Sequence, residues 1–591
     1  MISMIDTEKL EVEEYEMKKI AKYLKGYSLQ IFLVLVFAFG QTMADLNLPN
    51  IMSDIVDVGI INGDTNYILK RGGIMLLVAL AGGACSVILG LLAAKIAVGV
   101  SRDLRYDVFS HVEEFSLSEF NELGTSSLIT RSTNDINQIQ QVLVMLLRMA
   151  VAAPIMFIGA LIMAISKDAP LSIIFAVAIP MVLIILGVVS KFSIPLFKSM
   201  QVKIDKINRV VREGLMGIRV VRAFNRTEYE ESRFNDASKD LTDTAIKVNK
   251  IMAFMMPIMM LLFNIMSVAL IWFGAKRIDI GEMAVGDLMA FIQYSMQVMM
   301  SVIMVAMIFI MVPRAEASAD RIVEVLETEP VIEDKKDTVK AETEKGHLQF
   351  KNVEFRYPGA EQPVLSNINF EARPGETTAI IGSTGSGKSA LINLIPRFYD
   401  VESGEILVDG VNIKDMAQHD LRNKIGVVPQ KAILFSGTIA DNIRYGKLDA
   451  TQEEIEHAAE IAQASGFISE MKEGYESEID QGGNNVSGGQ KQRLSIARAL
   501  VRKPEIYIFD DSFSALDFKT DAKLRSALKD ETKDATVIIV AQRVSTVMDA
   551  DRIIVLDEGK ICGIGKHKEL LENCKVYKEI VLSQLSEEEI A

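Results

Sequence analysis

Residues 382–389 read Gly-Ser-Thr-Gly-Ser-Gly-Lys-Ser and lie between an apolar, strand-like run at 377–381 and a helix-like run at 390–395. The stretch fits the template G-x-x-x-x-G-K-[ST], in which glycines let backbone N–H groups wrap phosphates. In this template Lys388 reaches the terminal phosphates, and the hydroxyl of Ser389 ligates Mg²⁺ at a helix N-terminus. The chain is therefore predicted to bind a nucleoside triphosphate together with Mg²⁺.

Six apolar stretches precede this motif. They are residues 31–44, 73–94, 143–165, 170–190, 251–273 and 288–312. Most of them approach the ~20 residues that a membrane-spanning helix needs, and the shorter first one can extend through its polar flank. No such stretch occurs from Gly346 onward. The sequence thus predicts six membrane spans followed by a soluble domain.

Charge indicates the orientation and limits the partners. The loop at 191–250 is dense in Lys and Arg, and positively charged loops stay on the cytoplasmic side. The N-terminus, this loop and the soluble domain are therefore predicted to be cytoplasmic, in a multi-pass protein of the plasma membrane that contacts the lipid bilayer. The net charge of −15 over 591 residues argues against a nucleic-acid partner.

The predicted domain boundaries follow from these patterns. Residues 1–27 form a Lys-bearing amphipathic segment without a cleavage site, predicted to be a cytosolic helix on the membrane surface. Residues 28–326 form the six-span domain, and helical apolar spacing at 204–215 predicts that the spans continue as helices below the bilayer. Residues 327–346 are charged and are predicted to be a linker, and residues 347–591 form the nucleotide-binding domain.

Further motifs carry a resemblance. Downstream come Gln430 in VVPQ, VSGGQ at 486–490, a strand-like run at 506–510, SALD at 514–517 and Ala541-Gln542-Arg543; upstream come LITRSTNDINQI at 128–139, EGLMGIRVVRAF at 213–224 and RAEASADRIVEVLE at 314–327. In this order they resemble the ATP-binding cassette (ABC) transporters, and the upstream segments resemble the exporter branch. The resemblance implies a six-span α-helical membrane domain of the ABC exporter type joined to an α/β P-loop NTPase cassette. It also implies ATP hydrolysis coupled to transport across the membrane.

The family roles carry over to the positions that match its motifs. The implied nucleotide contacts are Tyr357, Ser383, Thr384, Gly385, Ser386, Gly387, Lys388, Ser389, Ala390 and Gln430. The implied Mg²⁺ ligands are Ser389, Gln430 and Asp510. The implied signature residues, which contact ATP held by a partner, are Val486, Ser487, Gly488, Gly489 and Gln490, and the adjoining D-loop turn is Ser514, Ala515, Leu516 and Asp517.

Two of these motifs also carry structural expectations. Tyr357, in FRYPG, is expected just before the first strand of the domain, with its ring stacked on adenine. The VSGGQ segment is expected to open a helix that begins near Lys491, so that its backbone donors face a phosphate.

Three positions depart from the family pattern. Asp511 stands where the family has a glutamate general base, and Gln542 stands where it has a histidine that contacts the γ-phosphate. Gln481 also replaces a usual glutamate. A carboxylate retracted by one methylene can cost ~100-fold in rate, and loss of one charge-stabilising donor costs roughly 10²- to 10³-fold. A site built on Asp511 and Gln542 is thus expected to hold ATP far longer than it hydrolyses it.

This pattern resembles the degenerate-site subunit of heterodimeric bacterial multidrug ABC exporters. The resemblance implies a second, non-identical half-transporter that supplies an intact catalytic glutamate and histidine. The signature of this chain would complete the partner's competent site, so that hydrolysis occurs mainly there.

The substrate is indicated less sharply. The fifth and sixth spans are rich in methionine, which suits either adaptable apolar binding or ordinary helix packing. Gln293, Gln297 and Ser301 recur every four residues on the sixth span, and Asp45 is a candidate contact for cationic substrates or a water-exposed residue at a helix end. Export of amphipathic small molecules, drugs or lipids, is the preferred interpretation. The alternatives are a dedicated peptide exporter and a regulatory, largely non-hydrolytic ABC protein.

Overall fold

The computed structural model describes residues 19–340 and 345–585 and divides into two compact units. The membrane unit runs to Glu113 and again from Thr125 to Thr328. The cassette unit contains Glu114–Gly124 and the chain from Glu329 onward. A short piece of the membrane half of the sequence therefore belongs structurally to the cassette.

The first half of the described chain is helical. Its helices are α1 Ser28–Asp54, α2 Thr65–Glu113, α3 Leu117–Leu123, α4 Thr125–Thr130, α5 Ile136–Lys167, α6 Ile173–Met216, α7 Ile218–Ala223, α8 Thr227–Asp279 and α9 Val285–Glu327. A 3₁₀ turn at Lys22–Tyr27 leads into α1, and π-type turns at Ile55–Ile60 and Arg131–Asp135 follow α1 and precede α5. Within the described residues, six helical segments are long and apolar enough to cross a membrane, which confirms the predicted six spans.

The spanning helices are longer than a bilayer requires. Helix α2 has 49 residues, which corresponds to about 74 Å at 1.5 Å per residue, against a hydrocarbon core of about 30 Å. Helices α6 and α8 likewise run unbroken through the Lys- and Arg-rich loop to Met216 and from Thr227. The helical continuation that the apolar spacing predicts is thus present.

The core of the membrane unit lies among α1, α5, α6, α8 and α9. Phe175 and Phe291 stack there with ring centroids 5.4 Å apart. The fully buried Tyr294 donates its hydroxyl proton to the carbonyl of Leu46 at 3.1 Å. Satisfying this polar group inside an apolar core ties α9 to α1.

Only part of the predicted N-terminal segment, from Lys19, lies within the described residues. The hydroxyl groups of Tyr23 and Tyr27 donate to Asp107 at 2.7 Å and to Asp103 at 3.1 Å. Both acceptors are on α2, so this segment is anchored along that helix. Its placement on a membrane surface stays a prediction.

The cassette unit is an α/β structure, as its motifs imply. Its strands are β1 Leu348–Phe355, β2 Leu365–Ala372, β3 Thr377–Gly382, β4 Ser403–Val408, β5 Val411–Asn412, β6 Ile425–Val428, β7 Gly437–Thr438, β8 Glu478–Ile479, β9 Ile506–Asp510, β10 Thr536–Val540, β11 Arg552–Asp557 and β12 Lys560–Gly565. Its helices are α10 Lys388–Leu394, α11 Gln418–Asn423, α12 Ile439–Arg444, α13 Gln452–Ile461, α14 Ser465–Glu470, α15 Gly488–Val501, α16 Phe518–Glu531, α17 Val544–Val547, α18 His567–Asn573 and α19 Lys575–Leu582.

The central sheet has the strand order β12-β11-β3-β10-β9-β6 in the described chain. All its neighbours pair in parallel except β11 and β12. Strands β9 and β10 read IYIFD and TVIIV and are almost wholly buried, because a parallel sheet is covered on both faces. A second, antiparallel sheet has the order β2-β1-β4-β5.

Helix α3 is the piece of the membrane half that packs with the cassette. Ser116 and Glu119 form a capping box at its start, which fixes where the helix begins. Leu117 packs against the apolar core next to the antiparallel sheet, and Asn121 donates to the hydroxyl of Tyr399 at 3.3 Å.

The predicted linker is ordered where the structure describes it. Helix α9 ends at Glu327, and residues 329–340 then lie along the cassette. Ile332 is buried, the backbone N–H of Gln418 donates to the carboxylate of Asp334 at 3.0 Å, and the N–H of Val339 donates to the backbone carbonyl of Asp415 at 2.8 Å. Residues 341–344 lie outside the described ranges.

Candidate functional site

The predicted phosphate-binding stretch is the loop between β3 and α10. Gly385 and Gly387 have φ of +85° and +99°, a left-handed conformation that suits glycine. A Cβ on Gly382 would lie 2.2 Å from the carbonyl oxygen of Leu556, so that position also has no room for a side chain. The backbone conformation at Gly385 and Gly387 and the lack of space at Gly382 therefore explain why the motif has glycine at these positions.

Lys388 lies at the centre of this loop. Its ammonium donates to the carbonyls of Gly382 at 2.8 Å and Ser383 at 2.7 Å. Burial lowers the pKa of Lys388, and the negative charges of Asp511 and Asp510 oppose that shift. The buried hydroxyl of Ser386 has no hydrogen-bond partner within the described chain. A buried cation beside an unused hydroxyl suits a phosphate ligand.

A cleft of about 360 Å³ opens beside the loop. Its walls contain most of the predicted nucleotide and catalytic residues: Tyr357, Thr384, Gly385, Gly387, Lys388, Ser389, Ala390, Gln430, Asp510, Asp511 and Gln542. Val364 and Val540 also line it and were not predicted. Val540 ends β10, and its position could have been inferred because clefts in parallel sheets form at the carboxyl ends of strands.

Tyr357 forms one wall of this cleft, but it follows the first strand of the domain rather than preceding it. The prediction was wrong because β1 already ends at Phe355. Two neighbouring exposed residues, Lys351 and Asn352, and a register shift before Val353 hide the alternation of that strand. Tyr357 packs edge-on against Phe355 and Tyr399, and burial raises its pKa.

The opposite wall carries two carboxylates, the predicted Mg²⁺ ligand Asp510 and the predicted catalytic residue Asp511. Asp510 ends β9, and burial, with the neighbouring charge of Asp511, raises its pKa while Lys388 opposes the rise. Asp511 has φ of +43°, a left-handed conformation that aspartate tolerates better than most residues. Its carboxylate accepts a hydrogen bond from the side chain of Gln430 at 3.2 Å.

The predicted Mg²⁺ ligands Ser389, Gln430 and Asp510 meet in this cleft. They offer hydroxyl, amide and carboxylate oxygens, the donor types that Mg²⁺ prefers. In the described residues no group of three or more His, Cys, Asp or Glu side chains could hold a metal ion. The residues present thus fit a Mg²⁺ that takes its remaining ligands from nucleotide phosphates and water.

The signature segment lies outside this cleft. Helix α15 begins at Gly488, three residues earlier than predicted, because Ser487 and Gln490 form a capping box. In this box the N–H of Gln490 donates to the Ser487 hydroxyl at 3.3 Å, and the N–H of Ser487 donates to the Gln490 side chain at 2.8 Å.

The SALD turn connects the signature segment with the catalytic wall. A Cβ on Gly489 would lie 3.2 Å from the carbonyl oxygen of Ala515, so the signature helix approaches this turn closely. The hydroxyl of Ser514 donates to the carbonyl of Asp511 at 2.8 Å, and Asp517 caps α16. Gln481, the third departure, lies in a separate 3₁₀ turn.

The three polar residues predicted to form one stripe on α9 differ in burial and in hydrogen-bond partner. Gln293 is exposed, the side chain of Gln297 donates to the carbonyl of Asp45 at 3.0 Å, and Ser301 is buried with its hydroxyl bonded to the carbonyl of Val298. Steps of four residues rotate by about 40° around a helix, which carries the series from the free face of α9 into its packed face. Asp45 itself is half-buried and accepts a hydrogen bond from Gln41.

The comparisons with known proteins match both units. The family model for the ABC transporter transmembrane region matches residues 31–302, and that for the ABC transporter matches residues 365–514. An uncharacterized ABC transporter ATP-binding protein from Mycobacterium tuberculosis is 43% identical over 96% of this chain and 97% of its own length. An ATP-dependent lipid A-core flippase from Hahella chejuensis is 34% identical over 84% of this chain and 85% of its own.

A solved structure described as a bacterial Atm1-family ABC exporter with ATP bound matches with a TM-score of 0.78. It shares 26% identity and covers 95% of this chain and 99% of its own. Both units are thus matched in the order found here, and the relatives align over most of their length. The chain belongs to the ABC transporters and is an exporter half-transporter, a six-span membrane domain fused to an ATP-binding cassette.

Proposed function

We propose that this chain is one subunit of a heterodimeric exporter that moves amphipathic small molecules, drugs or lipids, out of the cytoplasm or the inner leaflet. The observation that carries the proposal is the contrast within one cleft: the phosphate loop keeps every binding residue, whereas the hydrolytic positions hold Asp511 and Gln542. Such a cleft binds Mg-ATP and releases it slowly.

The geometry around Asp511 supports a slow site. Its carboxylate is one methylene shorter than that of a glutamate and is engaged by Gln430 at 3.2 Å. A displacement of about one bond length from a reacting water can cost ~100-fold in rate. Gln542 donates a neutral hydrogen bond where a cationic histidine would also supply charge.

The competent hydrolytic site then belongs to the partner subunit. In the proposed arrangement this chain contributes the start of α15, where Gly488 and Gly489 leave the backbone N–H groups uncovered by side chains. Those donors contact the ATP held by the partner, whose own cleft supplies the glutamate and the histidine.

The amphipathic substrate class rests on relatives and on the membrane residues. Relatives at 31–34% identity are named ATP-dependent lipid A-core flippases. The half-buried Asp45 offers one negative charge in the polar flank of the first span, beside Gln41, and Gln293 lies on the exposed face of α9. A carboxylate in a partly desolvated cavity attracts cations more strongly than one in water.

Affinity purification of the tagged chain from its native membranes tests the subunit assignment. We expect a second ABC half-transporter to co-purify, with glutamate and histidine at the positions equivalent to Asp511 and Gln542. Recovery of this chain paired only with itself would contradict the proposal.

The substrate class is tested with the purified heterodimer in nanodiscs. Asp45→Asn should weaken the stimulation of ATPase activity by an amphipathic cation severalfold and leave stimulation by a neutral lipid analogue unchanged. Asp279→Asn, which changes an exposed carboxylate at the end of α8, is the matched control. Equal loss with both classes of substrate would contradict a role for Asp45 in cation recognition.

A further inference from the structure

The segment that carries Gln542 is held by a residue far along the chain. Gln584 follows α19 and extends its side-chain amide to the backbone of this segment. Its Nε2 donates to the carbonyl of Gln542 at 2.8 Å, and its Oε1 accepts from the N–H of Val544 at 2.8 Å. The two hydrogen bonds come from one rigid planar group, so they fix the position and the orientation of residues 542–544 together.

Other contacts also hold this segment. The Nη2 of Arg543 donates to the carbonyl of Ser514 at 3.4 Å, and the side chain of Val544 is buried. The N–H of Ala541 donates to the carbonyl of Ile380 at 3.2 Å, which fixes its beginning to β3. Arg543 is the N-cap residue of α17 but makes no side-chain capping hydrogen bond. The N–H of Val544 belongs to the first turn of that helix, where backbone donors lack partners within the helix. Gln584 therefore supplies the missing cap from outside.

Gln584 is itself well anchored. Tyr577 and Val581 of α19 are fully buried in the same apolar core as Val544 and Val547. The backbone N–H of Gln584 donates to the carbonyl of Val581 at 3.0 Å. The side-chain amide of Gln584 thus links the end of α19 to the start of α17. Such a link is the way a supporting residue holds a functional side chain in place.

We propose that Gln584 is a positioning residue that sets Gln542 against the terminal phosphate of ATP bound in this chain's cleft. It rests on the proposed function, in which Gln542 contacts the nucleotide. Gln584 does not line the cleft itself and acts only through the backbone of residues 542–544. The C-terminal segment that follows α19 is accordingly part of the support of the nucleotide site.

The test uses the full-length chain in nanodiscs and the dissociation of a fluorescent ATP analogue, MANT-ATP, with Mg²⁺. Gln584→Ala removes both hydrogen bonds and should speed dissociation about tenfold, the effect of two hydrogen bonds of ordinary net strength. Lys578→Ala, at an exposed position on α19, is the control and should leave dissociation unchanged.

A second variant tests whether Gln584 positions Gln542 or only holds the segment after α19 against α17. Gln584→Glu keeps the acceptor for the Val544 N–H but has no donor for the Gln542 carbonyl. Hydrogen exchange should show the Val544 amide protected in Gln584→Glu and exposed in Gln584→Ala, whereas both variants should release MANT-ATP faster. If Gln584→Glu keeps both the protection of the Val544 amide and the slow release of MANT-ATP, while Gln584→Ala loses both, Gln584 has a merely structural role. That result would overturn the proposal.

A double-variant cycle shows whether Gln584 acts through Gln542. Gln542→Ala should speed dissociation, and adding Gln584→Ala should then have no further effect. If Gln542→Ala speeds release but Gln584→Ala does not, or if the two effects multiply, the positioning role is wrong and the proposed function stands. If Gln542→Ala leaves release unchanged, the nucleotide contact of Gln542 in the proposed function fails, and the positioning role fails with it.

Discussion

The two walls of the nucleotide cleft differ in how closely their residues match the family pattern. On one wall, the β3–α10 loop carries the complete phosphate motif with its left-handed glycines and the buried Lys388. On the other wall, Asp511 and Gln542 stand at the positions predicted to serve hydrolysis. Phosphate binding depends largely on backbone N–H groups, whereas hydrolysis depends on the reach and charge of individual side chains. A cleft can therefore lose catalytic power while it keeps its affinity for ATP.

The binding wall should show the largest loss when it is broken. Lys388→Ala removes the buried cation and should weaken ATP binding by at least ~100-fold, since hydrogen bonds to charged groups are each worth about 1.5–3 kcal/mol. Lys568→Ala, at an exposed position on α18, is the control. Equilibrium binding of ATP to the isolated chain measures both, and unchanged affinity in Lys388→Ala would place the phosphates elsewhere.

The second prediction compares a variant in the signature segment with a variant in this chain's own cleft. In the proposed heterodimer, Gly488→Asp would add a negative side chain where the partner's ATP phosphate approaches and should reduce steady-state ATPase activity by about 100-fold. Asp511→Asn should reduce this activity much less, because the proposed slow site of this chain would contribute little turnover. The opposite ranking of the two variants would mean that the competent site has been assigned to the wrong chain.

Restoring glutamate and histidine on the catalytic wall should raise ATPase activity. The double substitution Asp511→Glu with Gln542→His should raise the ATPase activity of the isolated chain by up to ~100-fold without changing its affinity for ATP. Each single substitution should raise ATPase activity by less than half of this gain on a logarithmic scale, because the effects of residues that act together are not additive. The left-handed backbone at 511 disfavours glutamate by about 1 kcal/mol, which limits the gain. No gain in the double variant would locate the defect elsewhere.

A smaller effect is expected at the adenine wall. Tyr357→Ala should weaken ATP binding about tenfold, the usual order for loss of one stacking interaction, and Tyr357→Phe should retain it. Because burial raises the pKa of Tyr357, the phenol stays neutral to a higher pH than an exposed tyrosine, and ATP affinity should not fall as the pH rises through the ordinary tyrosine range. Equal loss in the Ala and Phe variants would point to the hydroxyl instead of the ring.

The sequence indicated the spans and the phosphate loop well because each has a local cause. A bilayer requires long apolar runs, and the loop requires glycine at fixed positions. Strand β1 was missed because Lys351 and Asn352 interrupt its alternation at a register shift. The three polar residues on α9 differ in burial because each four-residue step turns by about 40° around the helix, and the spacing alone does not show which of them a neighbouring helix covers.

The support of the cleft could not be predicted in the same way. Gln584 lies 42 positions beyond Gln542, and nothing local marks a glutamine as the cap of a distant helix. The ordered contacts of residues 329–340 with the cassette are likewise tertiary, since their charged composition is typical of a solvated linker. Both became visible only when the packing of the cassette was known.

The steady-state ATPase activity of the isolated full-length chain in nanodiscs, measured together with its bound nucleotide, tests the separation of binding from hydrolysis most directly. The proposed slow site predicts stoichiometric ATP binding with turnover at least ~100-fold below the enzyme median of about 10 s⁻¹. Turnover near 10 s⁻¹ by the chain alone would show that Asp511 and Gln542 form a competent site and would contradict the account.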